Sequence, residues 1–240
     1  SGALPEPEVH VLADARAVGR EAARRFAALA QDAVAARGRF AVVLTGGDTP
    51  RPAYELLAAR RDLEWDRVEV FWSDERAVPA QHPDNNYRLA HDTLLRHVPV
   101  PPEQVHRMPA DWADLESAAL AYEDLLRQRL GDPPRFDLVL LGMGTDGHVA
   151  SLFPGQAAVR EERRLVVATP APAIAPRLTL TLPAIGAARQ VLFLVTGAHK
   201  AAAVRRVFAA PYDPEAVPAQ GVTPYAGLTV WLLDRAAAGT

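Results

Sequence analysis

With 240 residues, 49% hydrophobic and 23% charged, the chain has the composition of a globular protein able to bury a large core, which excludes disordered and fibrous classes. A formal net charge of −3 gives no general pull toward nucleic acid or anionic lipid, and no apolar run approaches the ~18–20 residues of a membrane helix. The absence of cysteine removes disulfides, thiolate metal sites, iron–sulfur clusters and cysteine nucleophiles together.

The opening residues lack the basic and long apolar regions of a signal peptide, so a cytoplasmic protein is expected. Residues 1–7 read as an arm outside the fold, with Ser1-Gly2 as a tag remnant. Val9-His10-Val11-Leu12 reads as a short strand, and Asp14 caps a long Ala- and Arg-rich helix that Gly38 stops. Phe40-Ala41-Val42-Val43-Leu44 is an unbroken apolar run of strand length, the mark of a strand covered on both faces. A polar turn, 45–50, leads into a helix through Ala59, with Thr49 as its expected N-cap and Pro50 in its first turn. Further strands are expected at 68–72, 136–141, 165–168, 178–182, 191–195 and 229–233. Helices are expected at about 85–97, at 115–130 and from about His199 to Phe208. The Pro-rich stretch 169–176 reads as a crossover loop. Strands alternating with helices predict an α/β fold, a mostly parallel sheet with helices on both faces, in one domain.

Ligands of open parallel sheets bind beyond the carboxyl ends of the strands. Three such ends carry polar or Gly-rich sequence: 45–50, 73–76 and 142–148. In the first, Gly46, Gly47, Asp48 and Thr49 precede a helix whose exposed amides suit an anion, although a plain tight turn fits this segment equally well. The segment lacks the Lys-Ser/Thr of a nucleotide P-loop and the Gly-x-Gly-x-x-Gly of a dinucleotide site. In the second, Arg76 offers a planar fork to phosphate or carboxylate, or pairs with its neighbours Asp74 or Glu75. In the third, Asp146 stands two residues before His148 among Gly142, Gly144 and Gly147, the arrangement that fixes an imidazole as a general base. No second cluster at ligand spacing accompanies the Asp-x-His pair, so no metal is expected. Of the 26 basic residues only Lys200 is a lysine, and it follows the 191–195 strand at the start of a helix, where a cation is locally unfavourable unless an anion binds.

These strings resemble the signature blocks of the 6-phosphogluconolactonase family. They are Leu-Thr-Gly-Gly-Asp-Thr-Pro from Leu44, Phe-Trp-Ser-Asp-Glu-Arg from Phe71, Asp-Asn-Asn-Tyr from Asp84, Leu-Gly-Met-Gly-Thr-Asp-Gly-His-Val-Ala-Ser-Leu-Phe-Pro-Gly from Leu141, and Arg-Leu-Thr-Leu-Thr-Leu-Pro from Arg177. The resemblance implies the α/β/α fold shared with glucosamine-6-phosphate deaminases and hydrolysis of a sugar-phosphate lactone. It also implies no cofactor, no nucleic-acid or membrane partner, and a monomer. It assigns His148 as the base that activates water and Asp146 as the residue that orients it. Amides at Gly142 and Gly144 would stabilise the oxyanion. The phosphate would lie on Gly46, Gly47, Asp48 and Thr49 with Arg76, Lys200 and, unless it is merely a surface cation, Arg177. Asp48 departs from the Ser expected in the glycine loop. The deaminases carry Glu just before Pro-Gly, where this chain has Phe153, which can neither hold nor relay a proton. A sugar-phosphate-binding domain without catalysis is the other alternative.

Overall fold

The computed structural model describes residues 6–173 and 175–240, so the first five residues of the expected arm and Ile174 lie outside the described residues. After β1 (Glu8–Leu12) comes α1 (Ala15–Arg37), started and stopped as the sequence predicts. Asp14 accepts a bond from Ala17 N at 2.8 Å, and Gly38 closes the helix in the left-handed region. There follow β2 (Phe40–Leu44), α2 (Arg51–Ala58), β3 (Val68–Trp72), β4 (Asp74–Arg76), α3 (Asn86–Thr93) and α4 (Leu115–Leu130). The remaining elements are β5 (Leu138–Leu141), β6 (Val166–Thr169), β7 (Arg177–Leu180), α5 (Leu182–Gly186), β8 (Gln190–Val195), α6 (Ala201–Ala209), β9 (Leu228–Asp234) and α7 (Arg235–Ala238).

Six strands form one sheet in the order β1-β9-β8-β5-β2-β3, every pairing parallel. Strands β2, β3 and β5 are buried at every residue, as strands covered by helices on both faces must be. From β2 the chain steps outward to β3, whereas β5, β8 and β9 extend the sheet in the opposite direction. The strand order therefore reverses at β2 and β5, and the crevice between their carboxyl ends is where such sheets hold ligands.

The expected strands at 165–168 and 178–182 are present, but in a second sheet. β4, β7 and β6 form a small antiparallel sheet, with Asp74 opposite Thr179 and Arg76 opposite Arg177. The polar stretch 73–76 is thus not a loop: Ser73 N bonds to Leu44 O in the large sheet, and Leu180 N bonds to Ser73 O in the small one. Stretch 169–176 joins two neighbouring antiparallel strands, a hairpin connection and not a crossover. The helix expected at 85–97 is α3 followed, after a break at Leu94, by a 3₁₀ turn at Leu95–His97. No helix among the described residues is long and apolar enough to cross a membrane.

Candidate active site

A cavity of about 550 Å³ opens at the carboxyl ends of β2, β5 and β8, of the size that takes a small ligand. Its wall includes Thr45 through Thr49, Gly142 through Gly144, His148, Arg76 and Lys200. All three segments singled out in the sequence meet there.

The loop after β2 is held from below. The buried Tyr54 hydroxyl donates to Thr45 O at 2.7 Å and accepts from Thr45 N at 3.0 Å, and burial pushes this phenol well above its ordinary range. Gly46 has to be glycine: a Cβ there would stand 2.0 Å from Asn86 Oδ1. Gly47 has φ +87, a conformation few other residues tolerate. Thr49 is not the helix cap. A turn closed by Arg51 N on Asp48 O delays α2 to Arg51, leaving Pro50 in the cap position without a side-chain bond and Pro52, which has no N–H, in the first turn. Gly47 and Asp48 are exposed on the rim.

In β4 the alternation of a strand separates the two carboxylates. Asp74, 5% exposed, lines the cavity; its oxygens accept Ser73 Oγ at 3.0 Å and Ser151 Oγ at 2.7 Å. Glu75 points the other way, accepting Asn86 N at 2.7 Å, Tyr87 N at 2.9 Å and Arg76 N at 3.0 Å, which fixes the start of α3. Burial raises its carboxyl to about 7 against the pull of those three amides. Arg76 pairs with neither: its Nη1 donates to Asp84 O at 2.9 Å, and its buried Nε has no partner among the described residues. An unpaired buried donor costs about 1–3 kcal/mol, a cost that a bound anion can offset.

The loop after β5 builds the dyad. Gly144 N bonds to His148 O and Gly147 N to Gly144 O, a tight return that brings the Asp146 carboxylate to 2.6 Å from His148 Nδ1 and 3.0 Å from His148 N. Burial alone would raise the Asp146 carboxyl, but the His148 amide and imidazole hold it below the usual carboxylate range. A carboxylate on Nδ1 places the proton there and leaves Nε2 with a free lone pair. The His148 side chain is 31% exposed, so the base is within reach of the cavity.

Lys200 also enters the cavity. It precedes α6 in a 3₁₀ turn, and its ammonium donates to Met143 O. Burial lowers its pKa, opposed by the nearby Asp146. Gly197 N, bonded to the Asp234 carboxylate at 3.1 Å, anchors this turn. Arg177 is not on the cavity wall; it lies one layer behind, 6% exposed, its Nε on Ala175 O at 3.2 Å. Sequence reading missed Asp74 as a cavity carboxylate and Asn86 and Thr196 as wall residues. Recognising 74–76 as a strand would have revealed the first, since alternation puts Asp74 and Arg76 on one face and Glu75 on the other. Among the described residues no three His, Asp or Glu side chains gather as a metal site would need.

Residues 13–231 match the family described as glucosamine-6-phosphate isomerases/6-phosphogluconolactonase. The chain belongs to this family. Among its members, 6-phosphogluconolactonase of Synechocystis sp. is 44% identical over 209 residues, covering 85% of this chain and 86% of that protein. The Mycobacterium tuberculosis 6-phosphogluconolactonase is 43% identical, with 96% of each chain covered. The solved structure of the Trypanosoma cruzi 6-phosphogluconolactonase superposes with TM-score 0.86 at 27% identity, covering 98% of this chain and 97% of that one.

Proposed function

We propose that this chain hydrolyses 6-phospho-D-glucono-1,5-lactone to 6-phospho-D-gluconate, without a cofactor. The observation that carries the reading is the His148 imidazole at the cavity edge, held by Asp146 on Nδ1 and packed against Phe153 rather than against an acid. The 6-phosphogluconolactonase relatives support the choice of substrate.

In the proposed reaction His148 Nε2 takes a proton from water as the oxygen attacks C1. The carbonyl electrons move onto oxygen, where the Gly142 amide stabilises the charge; the expected second donor, Gly144 N, is already spent on His148 O, which closes the dyad loop. As the tetrahedral intermediate collapses, the C1–ring oxygen bond breaks, and the imidazolium returns its proton to that oxygen. Asp146 holds the tautomer throughout. Arg76, Lys200 and the 46–49 amides bind the phosphate, so a remote anion positions the carbonyl. Asp48 stands on the rim and faces substrate hydroxyls, not the phosphate itself; Arg177 supports this wall from behind. We read the enzyme as a monomeric, single-domain cytoplasmic protein, and a buried cluster running from Val18 to Ala237 supports the single domain.

The test is a coupled assay with freshly generated lactone, run beside glucosamine 6-phosphate. Accelerated lactone opening with background ammonia release is expected. Robust deamination would overturn the assignment, and binding without turnover would make the chain a sugar-phosphate-binding domain.

A further inference from the structure

Immediately after His148 the chain makes a turn that few sequences would choose. Ala150 has φ +48, the left-handed region, at a residue that is not glycine. Leu152 N bonds back to Val149 O at 2.8 Å, and Val149 and Leu152 form a bridge. Backbone strain of this kind persists only where surrounding structure enforces it. The outcome of the turn is that Phe153, five residues after His148, lays its ring on the imidazole, with centroids 4.6 Å apart and planes inclined by 41°. Phe153 is 5% exposed, so its ring is fixed by its surroundings.

Phe153 is itself braced. The Arg177 guanidinium carbon lies 5.6 Å from the centroid of the Phe153 ring, within the range of cation–π attraction, and Arg177 is 6% exposed. Arg177 stands opposite Arg76 across the β4–β7 ladder, with Asp74, Glu75 and Asp84 in the same neighbourhood. Those carboxylates offset the repulsion from Arg76, and the guanidinium lies over the Phe153 ring. Asp146 controls one edge of the imidazole through Nδ1, but a single hydrogen bond leaves the ring free to swing about it. An aromatic face against the ring removes that freedom and keeps water from its flank.

We propose that Phe153, braced by Arg177, is the positioning residue that fixes the plane of His148, and that the strained turn at Ala150 exists to place it there. Asp146 then sets the tautomer, Phe153 sets the direction in which Nε2 points, and Arg177 acts on catalysis only through Phe153. This rests on the reading of His148 as the general base.

The test compares Phe153→Leu and Arg177→Met with the parent and with His148→Ala, in kcat and KM for the phosphorylated lactone. It also records the ring-proton NMR signals of His148, identified by their loss in His148→Ala. In the folded parent those signals should lie upfield, in the shielding region of the Phe153 ring. Phe153→Leu should move them downfield and lower kcat by about 10- to 100-fold with KM within about 2-fold, because a misdirected base loses rate and not affinity. Arg177→Met should give a smaller loss of the same kind. Unshifted His148 signals in the parent, or parental kcat in a folded Phe153→Leu, overturns the inference. An Arg177→Met variant that raises KM at unchanged kcat overturns the bracing role and makes Arg177 a phosphate ligand. Normal turnover in His148→Ala instead defeats the general-base reading itself, whatever Phe153→Leu does.

Discussion

Replacing Gly144 by alanine tests the dyad without removing any of its groups. A Cβ at this position would stand 2.1 Å from His148 Nδ1, 2.2 Å from its Cε1 and 2.8 Å from Asp146 Oδ1. Against an ordinary contact of about 3.4 Å, the imidazole has to retreat by about 1.3 Å. Phe153 blocks one direction and the 2.6 Å bond to Asp146 restrains another, so the ring cannot keep the position it holds in the parent. A displacement of about 1 Å in a reacting group costs on the order of 10²-fold in rate. Gly144 does not have a positive φ, so alanine adds no backbone strain, and the crowding falls on a partly exposed side chain and not on the core. The expected result is a kcat lower by about 10²-fold with a melting temperature within a few degrees of the parent. Steady-state kinetics on fresh lactone, with a thermal melt of the same sample, measures both. A kcat within about 3-fold of the parent in a folded protein would refute the idea that His148 works from the position seen here.

Gly147→Ala should show the converse, a loss of stability of about 1–2 kcal/mol in a chemical denaturation curve, because its φ is +85 and a Cβ would meet Val217 at 3.0 Å. Lys200→Ala should raise KM strongly for the phosphorylated lactone and hardly at all for unphosphorylated gluconolactone, with Lys200→Arg recovering part of the loss; equal effects on both substrates would exclude a phosphate role. Tyr54→Phe leaves Thr45 N and O without their buried partner and should cost about 1–3 kcal/mol in a denaturation curve, together with weaker substrate binding as the glycine loop loosens. For Glu75, burial raises the folded-state pKa from 4.5 to about 7, so the folded protein takes up a proton that the unfolded chain has released. The stability of the parent relative to Glu75→Gln should therefore be highest below about pH 4.5, fall by roughly 3 kcal/mol as pH rises through 7, and level off above it; a flat difference between the two melting curves would place the folded-state pKa near its ordinary value.

The parts of the fold that were legible are those encoded by local pattern. The apolar runs at 40–44, 68–72 and 136–141 specified strands covered on both faces, and Asp14 and Gly38 marked both ends of the first helix. The glycine segments pointed to the cavity because a sheet of this class leaves its carboxyl ends free. The division into two sheets was not legible: Arg177-Leu178-Thr179-Leu180 alternates identically whichever strand it pairs with, and pairing is a long-range choice. Thr49 failed as a cap because a backbone turn from Asp48, invisible to residue preferences, started the helix one residue later. Among the site residues, the Asp146–His148 contact was legible from spacing alone, since a glycine-rich loop lets residues two apart meet. The place of Arg177 was not, because its surroundings come from strand β4 a hundred residues earlier.

The position of Lys200 has a practical consequence. It is the only lysine in the chain, and burial destabilises its charged form, so more of it is a neutral, nucleophilic amine at a given pH than of an ordinary lysine. Reagents that acylate or reductively alkylate amines therefore have one target besides the chain's α-amino group, the Lys200 side chain, and that side chain lies inside the cavity. A stoichiometric label at Lys200 would count competent sites in a preparation, and protection from labelling would report occupancy of the cavity by any ligand, reactive or inert.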